Sequence, residues 1–140
     1  MRTIIAGGRD IYDFKLVQEA IQDSTFSISE VVCGMASGVD TEGFIWAQHN
    51  NVPFKEFPAD WNGVDPETKK PYGKSAGPIR NRKMAEYAEA LILIWNGNSP
   101  GSRSMFNIAI SKKMPIYEVI IKDGKAIATN RYNYPSQVLS

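Results

Sequence analysis

The 140-residue chain has one cysteine, Cys33, and one histidine, His49. A single cysteine can close no internal disulfide. Cys33 lies in the apolar run EVVC (Glu30–Cys33) with no histidine near it in sequence, so a buried core thiol is expected rather than a reactive one. His49 sits at the polar end of a helical stretch, where it can complement the helix dipole. Without a second histidine or a cysteine cluster, neither a zinc site nor a histidine-based triad has its parts, and no metal is expected. Strong charge of one sign is missing too. Sixteen Lys+Arg against fifteen Asp+Glu leave a net charge of +1, which argues against nucleic acid as a partner held through bulk charge. The apolar runs fall far short of the roughly 20 residues a membrane span needs. The N-terminus enters a strand pattern directly, with no signal-peptide pattern, so the expected setting is cytoplasmic, with no membrane partner.

What is present is a regular alternation. With 43% hydrophobic residues, the length fits one domain with its own core. Glu30–Cys33 and Ala90–Trp95 are short apolar runs of the kind that form buried strands. Arg2–Ala6, Val52–Phe57 and Pro115–Ile121 read as further strands, with Pro53 suited to the start of its strand or to an edge position. Between them lie helical stretches. Phe14, Val17, Ala20 and Ile21 make one apolar face, as do Met105, Phe106, Ala109 and Ile110. Further helices are expected over about Thr41–Asn50 and Pro78–Glu89. Lys122-Asp123-Gly124-Lys125 is a hairpin signal, so Ala126–Thr129 is expected to pair back antiparallel. The fold class is therefore α/β. A Rossmann-like parallel sheet of about five strands carries helices on both faces, and a C-terminal antiparallel hairpin strand follows. The domain is expected over 1–130, with a tail at 131–140 whose role the sequence leaves open.

The strand-to-helix turns carry the chemistry. Gly7-Gly8 ends the first strand and permits a tight turn with close backbone approach. Arg9 beside it is either an ordinary loop arginine or a cation facing the same sheet edge as the later turns. Gly34 and Gly38 flank small residues in GMASGVD, and Asp40 can cap the next helix or accept a hydrogen bond from a ribose hydroxyl. The GxGxxG spacing of a dinucleotide fingerprint is absent. The run 58–77 is long, irregular and rich in proline and glycine, a format more often found in functional flaps than in packing filler. Asp60, Trp61 and Tyr72 are its distinctive side chains. Trp61 can stack on a base or pin the loop to the body, with pinning favoured. Gly77-Pro78 opens the helix that carries Arg80 and Arg82. After the fourth strand, Asn96–Ser102 is turn material leading into a helix, whose free N–H groups and positive dipole end suit an anion. Two arginines and this turn, one helix and one strand apart, imply a pocket for a phosphorylated, nucleotide-like molecule.

With GGR, GMASGVD, FPADW, AGPIRNRKMAEYAEALI and WNGNSPGSRSM in this order, the chain resembles the SLOG superfamily. It looks most like the YspA/YpsA-related branch of single-domain proteins, often found in bacteria and their phages. The resemblance covers about Met1 to Ile121. SLOG domains are Rossmann-like folds believed to bind nucleotides or nucleotide-derived ligands, and the superfamily includes the LOG phosphoribohydrolases and the DNA-processing protein DprA. The run Met84, Ala85, Ala88, Ala90 is similar to one in the LOG enzymes and places Arg80 where those enzymes carry a catalytic-site arginine. The LOG PGGxGTxxE motif falls on Asn96–Ser104, with Gly101-Ser102 standing for its Gly-Thr. The glutamate position is Ser104, so the obvious general acid/base for cleaving an N-glycosidic bond is missing.

Two functions follow from the resemblance and the residues together. The first is binding or sensing of a phosphorylated nucleotide-derived molecule. Gly7, Gly8, Gly34, Gly38, Gly101 and Ser102 would act as backbone donors, Arg9, Arg80 and Arg82 as cations, and Asp40 and Asp60 as further ligand-facing residues. The second is a LOG-like hydrolase with a relocated carboxylate, drawn from Asp40, Asp60 or Glu86; the residues leave open whether the ligand is turned over. No additional cofactor is expected. Relatives often pair through helices, so a homodimer is.

Overall fold

The computed structural model describes residues 1–133, and the C-terminal part of the expected tail, 134–140, lies outside them. Six strands, β1 (Arg2–Gly7), β2 (Glu30–Cys33), β3 (Phe54–Glu56), β4 (Ala90–Trp95), β5 (Ile116–Lys122) and β6 (Lys125–Tyr132), form one sheet in the order β3-β2-β1-β4-β5-β6. The first five run parallel and β6 is antiparallel to β5. Four helices supply the crossovers: α1 (Phe14–Ser24), α2 (Val39–His49), α3 (Ala76–Tyr87) and α4 (Pro100–Ser111). The expected α/β class and hairpin strand are what the chain forms. No helix among the described residues is long and apolar enough to cross a membrane.

The strand sequences explain why helices cover both faces. Along β4 every residue is buried, and alternate side chains feed two cores. Ile92 and Ile94 join Ile5, Val31 and Cys33 with Val17 and Ala20 of α1. Leu91, Leu93 and Trp95 join Ile4, Ala6 and Val32 with Met84 of α3 and Met105 of α4. A period of two with apolar residues on both sides is what a central parallel strand requires. The Cys33 thiol belongs to this core, and burial, aided by Asp40 and Glu56, pushes its pKa up to about 12. It remains an inert thiol at neutral pH.

Several boundaries differ from the expectation, each for a local reason. Helix α2 begins at Val39, ahead of the expected Thr41, because Gly38 is its N-cap. Helix α4 begins at Pro100, at the first helical position that proline favours. Strand β6 runs beyond Thr129 and past the expected domain boundary at 130. Arg131 is drawn into the sheet by donating to the backbone carbonyls of Ser24 and Asp23 at 2.7 and 2.9 Å. Tyr132 packs edge-on against Phe106 and donates to Glu118 at 3.2 Å. The hairpin turn has positive φ at both Asp123 (52°) and Gly124 (76°), as a type I′ turn requires.

The feature that places the site is the strand order. From β1 the chain steps outward through β2 to β3, then crosses back to add β4 on the other side of β1. At such a switch point the turns leaving adjacent strands head to opposite faces of the sheet. A crevice opens between them at the strands' C-terminal ends.

Candidate functional site

A cavity of about 470 Å³ occupies this crevice, within the usual range for small-molecule sites. Gly7, Arg9 and Asp10 come from the turn after β1, Ala36 and Asp40 from the turn after β2 and the start of α2. Arg80 comes from α3, and Asn96, Ser99, Pro100, Gly101 and Ser102 from the turn after β4 and the start of α4. Of the residues expected from sequence, Gly7, Arg9, Asp40, Arg80, Gly101 and Ser102 thus meet around one space. Gly34 borders the adjoining chamber with Arg9 and Arg80. Asp60 borders a separate hollow on the far side of Arg80. Arg82 is exposed on α3 and lines none of these cavities.

The start of α4 is equipped for an anion. Asn96 Oδ1 accepts from the N–H groups of Asn98 and Ser99 at 2.8 and 3.0 Å, which folds the turn without using the helix's own first donors. The Arg103 N–H bonds back to the Ser99 carbonyl at 3.0 Å, and Pro100 has no N–H. The N–H groups of Gly101 and Ser102 are left without a partner among the described residues. Ser102 is 6% exposed and lines the cavity, and its hydroxyl makes no hydrogen bond among the described residues. Ser99 Oγ is the one buried side-chain polar atom without a partner there, and it lines the same cavity. Free N–H groups at a helix N-terminus suit an anion, so Gly101 and Ser102 mark where a ligand's acceptors would sit.

Arg80 is held from two directions. Its Nε donates to Asn81 Oδ1 at 2.9 Å, and Nη1 donates to the Gly34 carbonyl. Asn81 is itself buried and donates to Ser104 Oγ at 3.3 Å. Ser104 therefore anchors the residue that orients the arginine. Two of the five guanidinium donors are spent on this clamp, and the others remain for the cavity. Gly34 makes the arrangement possible: a Cβ there would lie 2.6 Å from Asp40 Oδ2 and 2.9 Å from Arg80 Nη1. Arg9 is exposed and, among the described residues, forms neither a hydrogen bond nor an ion pair.

Asp40 is 5% exposed. Burial raises its pKa to about 6 against the opposing pull of Arg80, the backbone N–H groups of Ala36 and Gly7, and Arg9. Burial also lowers the Arg80 pKa, with Arg9 adding to the effect and Asp40 opposing it. The site thus holds two cations and one buried carboxyl whose pKa burial raises.

The remaining sequence-expected glycines are occupied by the fold. The Gly8 N–H donates to the Ile94 carbonyl at 3.0 Å, and its own carbonyl accepts from Val39 at 3.1 Å. Gly38 has φ of +78°, and a Cβ on it would collide with the Gly8 carbonyl oxygen. These two residues lock the turns after β1 and β2 together behind the cavity wall. Sequence reasoning missed Asn81, Ser99 and Asn96 as site-building residues. The Asn-x-x-Ser spacing ahead of Pro100 is a legible turn-and-cap signal; nothing local marks Asn81.

No curated protein sequence matches the chain. The model of the YspA, cpYpsA-related SLOG family matches residues 1–63. Among solved structures, DNA processing protein A (DprA) from Streptococcus pneumoniae is similar, with a TM-score of 0.68 and 19% sequence identity. The match covers 88% of this chain and 52% of that one, so the chain spans about half the length of that protein. At this identity the likeness shows the fold alone. The SLOG resemblance expected from the motifs is met by the family model over residues 1–63, and the expected Rossmann-like fold by the structural likeness.

Proposed function

Starting from SLOG kinship, matched over residues 1–63, we propose that the protein binds or senses a phosphorylated, nucleotide-derived small molecule in the crevice between β1 and β4. The observation that carries this reading is the start of α4. Gly101 and Ser102, whose N–H groups are unpaired among the described residues, line with Ser99 the cavity that Arg9 and Arg80 also line. A phosphate there would satisfy the orphan donors, meet the positive end of the helix dipole and accept charge-assisted bonds from the arginines. Asp40, at the cavity's inner wall, would accept from a sugar hydroxyl. Titration calorimetry with adenosine 5′-monophosphate tests it. Arg80→Ala is expected to weaken binding at least about tenfold, on the order of 1.4 kcal/mol, and unchanged affinity would sink the site. The homodimer and cytoplasmic setting belong to the same proposal, and sedimentation of the purified chain checks the first.

A second reading is favoured by Asp40. A carboxyl with a pKa near 6 in the same cavity is the type of group that LOG-like cleavage of an N-glycosidic bond needs, and the usual glutamate is absent at Ser104. Incubation with a nucleotide panel, followed by chromatography for free base, separates the two. Base release that Asp40→Asn abolishes supports the hydrolase; binding without release supports the sensor.

A further inference from the structure

We propose that the chamber adjoining the main cavity is a stacking subsite for a planar heteroaromatic ring, so that the ligand is a nucleoside monophosphate gripped at both ends. This rests on the phosphate reading above. The chamber has a volume of about 250 Å³ and shares Arg9 and Arg80 with the main cavity. Its distinctive walls are Met35 and Ser37 from the turn after β2, and Pro58 and Trp61 from the segment between β3 and α3. The two spaces present different groups: unpaired backbone donors at the α4 end, and the side chains of Met35, Pro58 and Trp61 set beside polar surface at the other.

Trp61 and Met35 are left 49% and 40% exposed, although the chain has two well-formed cores that could have taken them. Trp61 makes no ring contact with another aromatic among the described residues. The tip of its indole rests over Gly77 at the start of α3, where a Cβ would lie 3.3 Å from Cη2. The ring is thus pinned as well as exposed, which limits the entropy lost on stacking. Met35 has φ of +61°, a left-handed turn conformation uncommon for a non-glycine residue. An indole and a polarizable thioether are suited to the faces of a nucleobase, and the Ser37 hydroxyl is available to its polar edge. The ribose would then cross the stretch bounded by Arg9 and Arg80, whose planar guanidinium groups also stack on rings.

The test is titration of the full chain with three probes that share a phosphate: inorganic phosphate, ribose 5-phosphate and adenosine 5′-monophosphate. The nucleotide is expected to bind at least about tenfold tighter than ribose 5-phosphate, the scale of one base–aromatic stack. Trp61→Ala should erase that difference while leaving ribose 5-phosphate affinity within about twofold; Trp61→Phe should preserve it. Circular dichroism on both variants separates lost stacking from lost folding, and the phenylalanine variant carries the test should the alanine variant not fold. Equal wild-type affinity for nucleotide and ribose 5-phosphate overturns the stacking subsite and leaves the phosphate site standing. So does a Trp61→Ala protein that loses both ligands equally. Failure of all three probes to bind removes the phosphate reading, and this inference with it.

Discussion

The turns after β1 and β2 and the turn after β4 look alike in sequence, each being short, glycine-containing and followed by a helix, yet they serve opposite purposes. In the first pair the backbone groups bond to one another: Gly8 to Ile94 and Val39, with Gly38 pressed against Gly8. In the last, an asparagine side chain folds the turn. The donors of Gly101 and Ser102 stay free, and nothing lies within 4 Å of where a Cβ on Gly101 would be. Glycine in the first two turns is a requirement of packing; in the third it leaves open space for something that is not protein. A sheet edge needs both kinds. Rigid turns fix the position of Asp40 and of the Gly34 carbonyl that holds Arg80, and the unfilled one is where the proposed ligand would bind.

Substitutions can break this contrast. Gly38→Ala should have the largest effect. Forcing a side chain into a positive-φ site and onto the Gly8 carbonyl combines strain and overpacking, roughly 4 kcal/mol of lost stability in urea denaturation. A wild-type midpoint for this variant would show that the two turns are not locked. Next in size is the pH dependence contributed by Asp40. Its folded pKa of about 6 exceeds the ordinary 3.8, so the folded state binds the proton more tightly. Its favourable contribution is complete below the unfolded pKa and is lost as pH rises through about 6. At 1.36 kcal/mol per pH unit the change is about 3 kcal/mol. Asp40→Asn should flatten that part of the stability–pH curve, and an unchanged curve would assign the titration elsewhere.

Smaller effects sharpen the comparison from the side of the open turn. Ser102→Ala should leave the unfolding midpoint nearly unchanged and weaken nucleotide binding by a factor of about five, the worth of one hydrogen bond of about 1 kcal/mol. Gly101→Ala should be the mildest of all for folding. Its added methyl meets no protein atom, and the loss of glycine flexibility in the unfolded chain should raise stability by about 0.5 kcal/mol. If Gly101→Ala proved as damaging as Gly38→Ala, the distinction between closed and open turns would fail.

Much of this architecture was legible beforehand. ALILIW could only be a strand covered on both sides, and the Asp-Gly pair fixed the hairpin. Arg9, Arg80 and the Gly101 turn could be placed on one rim because parallel strands carry their exits to the same edge. Other features were not legible. Asp40 could be read as a helix cap or as a ribose acceptor, and only the packing around the start of α2 buries it enough to shift its titration. Gly8 looked like a donor for a ligand until its N–H was found on Ile94, 86 residues away in sequence. Arg82, two residues from Arg80, fell outside the cavity because a two-residue step on a helix turns a side chain to another face. The extension of β6 to Tyr132 depended on Glu118, buried on the neighbouring strand and accepting from Trp95, Asn130 and Tyr132.

The sequence by itself determined the alternation of strands and helices, the two-sided core and the edge of the sheet on which the glycine turns gather. These follow from local periodicity and turn chemistry, which act over a few residues. Tertiary structure alone decided which of those turns would be sealed by hydrogen bonds and which left open, and how Arg80 would be aimed by Gly34 and Asn81. It also brought Trp61 and Met35 to the walls of one chamber. Hydrogen-bond satisfaction and burial depend on partners distant in sequence, and no local pattern carries that information.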